Sequence, residues 1–145
     1  ILGQVFNRTG LRFIINEANL YNLTAFHGIY IKSTVYMKII KAYLLTDIAV
    51  KIIEDNRREY GDGLKKFEPN DLKKSLVLDF KIINKTDRKK ISHLYEKFRK
   101  KHLSKNLDTY PINDEGIEED KECISSNLAQ LNQIFLTYLK KQNKV

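Results

Sequence analysis

Hydrophobic positions change their period along this chain, and each change predicts an element. Over residues 1–33 the period is two. Arg12 between Leu11 and Phe13 makes 11–15 a strand with one wet face. Gln4-Val5-Phe6 reads as a second strand, joined to it by the turn Asn7-Arg8-Thr9-Gly10. Extended segments follow at 22–26 and 28–31, on either side of His27. These strands predict a small sheet, with room for partner strands from chain upstream of Ile1.

Ser33-Thr34 offers an N-cap, and the period then becomes helical over 35–55. Val35, Tyr36, Ile39, Ile40, Tyr43, Leu44, Ile48, Ile52 and Ile53 cover more than half the circumference, so one helix packed on several sides is expected. Lys38, Lys41, Asp47 and Lys51 interrupt it too often for a bilayer core. Tyr36 and Tyr43 read as core or groove wall. Gly61-Asp62-Gly63 is a turn whose glycines tolerate positive φ, and 64–67 reads as a short strand. Glu68-Pro69-Asn70-Asp71-Leu72 then restarts a helix with Pro69 at its first position.

Residues 75–78 suggest another short strand, and 79–83 fits a strand or an irregular connection. Thr86 or Asp87 caps a helix running to about 102. Its apolar stripe is Ile91, Leu94, Tyr95 and Phe98; its other face carries Arg88, Lys89, Lys90, Lys97, Lys100 and Lys101. Residues 106–116 read as a surface loop. A last helix from 117 has Ile124, Leu128, Leu131, Ile134, Phe135 and Leu139 at helical spacing.

The predicted class is α+β: a small N-terminal β-sheet, a long buried helix, a glycine-turn and short-strand elbow, and two C-terminal helices. We expect a single domain over 1–145, part of a larger protein because the chain opens on Ile1 rather than Met. Within it 1–33 is β-rich, 34–109 holds the core helix, elbow and basic helix, and 110–145 the last helix.

Charge sharpens this picture. The net charge is +8, distributed as +3 over 1–60, +7 over 61–109 and −2 over 110–145. The positive field centres on the elbow and the helix after it, which favours a polyanionic partner. A single cysteine, Cys123, excludes an internal disulfide and a multi-thiolate zinc site, and suits a reducing cytoplasm. The plain reading of Cys123 is an inert helix residue.

Catalytic chemistry is scarce. His27, His93 and His102 lack metal-ligand spacing. Asp114, Glu115, Glu118, Glu119, Asp120 and Glu122 read as a solvated helix start favoured by the helix dipole. No Ser, His and Asp are placed as a triad, and neither a Pro-Pro nor a glycine-rich strand-to-helix turn occurs.

The elbow, Arg57-Arg58-Glu59-Tyr60-Gly61-Asp62-Gly63-Leu64-Lys65-Lys66-Phe67-Glu68-Pro69-Asn70-Asp71-Leu72, resembles the C-terminal region of adenine-specific DNA methyltransferases of bacterial restriction-modification systems, the TaqI-like type II enzymes. Asn22-Leu23-Thr24-Ala25-Phe26-His27-Gly28-Ile29-Tyr30 is similar to a second family block, and Arg12 to Ala18 to the strand before it. The resemblance spans roughly Gly3 to Leu78. Asp62 departs from the family's middle glycine, and no proline follows soon after the elbow.

The resemblance implies a target-recognition region that holds double-stranded DNA. The methyl donor S-adenosylmethionine would be bound by an upstream catalytic domain of the same polypeptide, not by this chain. It implies DNA contacts from Arg57, Arg58, Tyr60, Lys65, Lys66, Asn70 and His27, with Gly61 and Gly63 admitting the backbone close to the duplex. No membrane partner is implied, and the expected location is cytoplasmic. For His27 the plainer reading is a sheet-edge histidine bonded to backbone; for the lysine helix it is a solvated face. The alternative for the whole chain is a non-enzymatic helical scaffold whose lysines keep it in solution.

Overall fold

Leu2–Gln4 (β1) is the strand on which the first sheet is built. In the computed structural model, which describes residues 2–4, 6–7, 13–14, 16, 21, 26–60, 64–66, 68–74, 77–103 and 118–143, β1 lies between two antiparallel neighbours. With Phe6–Asn7 (β2) next in the chain, these neighbours are Phe13–Ile14 (β3) and Phe26–Gly28 (β4). Leu2 pairs with Ile14 and Gly28, and Gly3 with Phe13 and His27.

A second sheet has the order β2-β6-β5, with β5 at Arg58–Tyr60 and β6 at Leu64–Lys66, also antiparallel. The single strand expected over 4–6 is therefore two, serving different sheets. β2 finds its partner downstream, in β6. β4 runs through His27, where extended segments were expected on either side of it. A period of two reports which residues share a face; it carries no information about which strand pairs with which.

The helix expected over 35–55 is divided into Met37–Leu44 (α1) and Asp47–Glu54 (α2). At the break the Leu45 N–H turns back to Ala42 O (3.3 Å) and the Thr46 N–H to Tyr43 O (2.9 Å). The Thr46 hydroxyl also donates to Tyr43 O at 2.6 Å, and Thr46 is fully buried. A short side chain that bonds its own backbone competes with the helical ladder. Asp47 then places a carboxylate in the first turn of α2, where the dipole favours it. Val35, expected on the apolar stripe, is mostly exposed.

The chain divides into two units. The strand unit comprises Ile1–Thr34 and Asp47–Val77; the helical unit comprises Val35–Thr46 and Leu78–Val145. In the helical unit α1 packs with Lys85–Leu103 (α4) and Glu118–Gln142 (α5), the label α3 belonging to Pro69–Lys74 of the strand unit. Ile39, Tyr43, Ile83, Ile91, Leu94, Tyr95, Leu131, Phe135 and Tyr138 are buried there. Each large apolar side chain so buried is worth roughly 1.5–3 kcal/mol. Tyr43 sits among aromatic edges, T-shaped against Phe80 (5.4 Å) and Phe135 (5.2 Å).

Residues 79–83, ambiguous by pattern, hold a 3-10 turn over Phe80–Ile82, begun where the Asp79 carboxylate accepts from the Lys81 N–H at 3.0 Å. The cap of α4 is Asn84, two or three residues earlier than expected. Its Oδ1 accepts from the Asp87 N–H (2.8 Å), while its Nδ2 donates to Asp87 Oδ2 (3.0 Å). This reciprocal pair satisfies a helix donor that a cap at Thr86 would leave open. Tyr138 of α5 joins it, donating its hydroxyl to Asp87 Oδ2 at 2.6 Å. Residues 106–116 lie outside those described, as do the side chain of Cys123 and residues 75–76.

Candidate nucleic-acid interface

The route into the candidate site begins at the end of α2. The Asp55 N–H bonds Lys51 O (2.9 Å), Asn56 N–H bonds Ile53 O (3.1 Å) and Arg57 N–H bonds Glu54 O (3.1 Å). The Asn56 amide also donates to Ile52 O at 2.9 Å. These bonds wind the helix down and release the chain directly into β5. Arg57 is fixed in the process: its guanidinium lies 3.2 Å from Glu54 and is half-buried.

β5 and β6 together form a hairpin. The sequence shows the strand at 64–66 but not its partner, because Arg58-Glu59-Tyr60 carries no apolar alternation. Register aligns Tyr60 with Leu64, Glu59 with Lys65 and Arg58 with Lys66. β2 completes the rows, with Asn7 opposite Lys65 and Phe6 opposite Lys66. The two lysines thus belong to different rows, and alternate positions of a strand lie on alternate faces.

Arg58 and Lys66 are directly opposed cations, an arrangement that costs stability unless an anion compensates. Glu68 supplies that anion. Its Oε1 lies 2.6 Å from Lys66 Nζ, just before Pro69 opens α3. The hydrogen bond from Lys66 holds the Glu68 carboxyl below its ordinary value; burial opposes this, and the charges of Lys66, Arg58 and His27 add to it. His27, at the centre of β4 and half-buried, therefore belongs to the same cluster as Lys66 and Arg58. Glu68 is the functional candidate that the reading of the sequence missed. Its signal is its spacing, two residues beyond Lys66 at a strand end.

The other expected site residues are placed as follows. Asn70 is exposed in the first turn of α3. Tyr60 and Lys65 are strand residues whose side chains lie outside those described, as do Gly61 and Gly63 altogether. At the end of β4 a Cβ on Gly28 would lie 2.9 Å from the ring of Tyr30, an exposed side chain free to move aside.

In the helical unit a second basic surface runs along α4. Lys85, Lys89, Lys90, His93, Lys97 and Lys100 are exposed. Arg88 is not part of it. Its Nε donates to Ile83 O (2.6 Å) and its Nη2 to Lys81 O (2.9 Å), and its guanidinium lies 4.9 Å above the Tyr36 ring. It ties down the turn before α4. The face is also interrupted by Glu96, which bonds Lys38 at 2.7 Å and approaches Arg99 at 3.9 Å. Lys38 holds the Glu96 carboxyl below its ordinary value, helped by Arg99 and Lys100 and opposed by burial. Among the described residues no helix is long and apolar enough to cross a membrane.

Residues 4–116 match the family described as the type II methyltransferase M.Eco57I, C-terminal domain. The chain is similar to the type II methyltransferase M.AccI of Acinetobacter calcoaceticus, with 50% identity over 100 residues. That match covers 66% of this chain and 18% of the relative, so the chain spans about a fifth of that protein's length. No solved structure matches.

Proposed function

From the premise that this chain belongs to the family of the type II methyltransferase M.Eco57I C-terminal domain, we propose that it recognises target DNA for such an enzyme. It holds duplex DNA while an adenine-directed catalytic domain of the same polypeptide transfers the methyl group. S-adenosylmethionine belongs to that domain. The two prolines here, Pro69 and Pro111, are far apart, so this chain lacks the Pro-Pro step that adenine methylation uses to hold a flipped base.

The observation that carries this reading is that Lys66 pairs with Glu68 while standing directly opposite Arg58, with His27 near enough to act on the same carboxylate. Cations grouped in this way at a strand end suit phosphodiester oxygens. Asn70, exposed one helical step away, has the amide geometry that pairs bidentately with adenine.

Fluorescence anisotropy with a mixed-sequence duplex tests it. The dissociation constant should rise steeply and linearly with salt on logarithmic axes, and Lys66→Met should lower the slope by up to about 0.9. A duplex affinity below detection at about 50 mM salt would instead favour the scaffold reading.

A further inference from the structure

We propose that Glu68 is a stand-in for phosphate: its carboxylate occupies the place on Lys66, beside Arg58, that a phosphodiester oxygen takes when duplex DNA binds. This rests on the DNA-recognition reading and adds a competitor built into the same site. The geometry is direct. Glu68 Oε1 sits 2.6 Å from Lys66 Nζ, the spacing of a charge-assisted hydrogen bond to an anionic oxygen. Lys66 is at the same time the cross-strand partner of Arg58, so the anion bound to Lys66 lies next to a second cation.

The position of Glu68 explains why it is there without DNA. Lys66 and Arg58 are like charges across the ladder, and a carboxylate on Lys66 offsets their repulsion when no polyanion is present. Glu68 follows β6 by one residue and precedes α3, so its carboxylate is tethered within reach of Lys66. Lys66 and Glu68 are each only about one-third exposed, 30% and 29%, so the pair is neither freely solvated nor locked in a core. An ion pair at such a surface is weak enough to be exchanged. A duplex presents a phosphate every few ångströms and can substitute for the carboxylate on the same donors. Glu68 therefore sets a threshold: only a polyanion that also engages neighbouring cations displaces it.

The test compares four versions of this chain: wild type, Glu68→Gln, Lys66→Met and the double variant. The probe is a mixed-sequence duplex of about 30 base pairs titrated across about 50 to 300 mM salt, with the folding of each version checked by circular dichroism. Glu68→Gln is expected to bind several-fold more tightly than wild type at low salt. That gain is expected to shrink in the Lys66→Met background, because no pair remains to be broken. Unchanged or weaker binding by Glu68→Gln overturns the inference, since Glu68 would then be positioning Lys66 for DNA. An equal gain in both backgrounds also overturns it, since that is long-range repulsion and needs no contact with Lys66. If wild type binds no duplex and Glu68→Gln does, displacement of Glu68 is what limits binding. If neither binds, the DNA-recognition reading fails and this inference with it; binding by wild type without the expected gain sinks only the inference.

Discussion

The helical unit buries Tyr43, Ile83, Ile91, Leu131 and Phe135 almost completely, whereas the buried residues described in the strand unit are Ala49 and Ile53. The two units also use charge differently. In the helical unit Arg88 spends its donors on backbone carbonyls and Asp87 closes a cap, so both are structural. In the strand unit Lys66 pairs with Glu68 while standing opposite Arg58 across a ladder. Charge that ties down the fold has nothing left for a partner, whereas the Lys66–Glu68 pair is the one that our proposal has DNA exchange.

This contrast can be broken most severely at Phe135. Truncation to alanine should cost about 3–5 kcal/mol in chemical denaturation, because it empties the space against Tyr43. A loss under 1 kcal/mol would mean that the helical unit does not depend on this core. Next, Asn84→Ala removes the α4 cap and should cost about 1 kcal/mol, read in the same experiment. Tyr43→Phe should run the other way. Its buried hydroxyl makes no hydrogen bond of good geometry among the described residues; burial pushes the phenol above its ordinary value, and the Leu78 backbone, which approaches it outside that geometry, offsets this only in part. Removing that hydroxyl should leave stability equal or up to about 1 kcal/mol higher. The smallest effect on stability is expected at Lys66→Met, whose denaturation midpoint should stay close to that of wild type while duplex binding weakens. A large drop in midpoint would place Lys66 with the structural charges instead.

Much of this architecture is legible in the residues. The stripe Ile91, Leu94, Tyr95 and Phe98 faces inward on α4 as its spacing requires, with Phe98 half-buried. Pro69 opens α3 because a first-turn residue has no need of its N–H. The break at Leu45–Thr46 was hidden because the apolar pattern continues through it, and what ends α1 is a hydroxyl bonding its own backbone. The cap at Asn84 was overlooked for two neighbouring candidates, since only geometry decides which side chain reaches the Asp87 amide. At the candidate site the basic residues were visible by type. Their grouping was not, because Arg58 meets Lys66 across a hairpin whose first strand has no apolar alternation, and His27 acts on the same carboxylate from a strand of the other sheet. Glu68 was visible as part of a family block, but its role as a counter-charge appears only with the 2.6 Å contact.

The most direct test of the central claim is a lysine acetylation footprint of this chain with and without saturating duplex, read by mass spectrometry at each lysine. The account predicts that duplex protects Lys66 strongly, while Lys140 and Lys141 at the end of α5 keep their reactivity. Full reactivity of Lys66 in the bound state would contradict it.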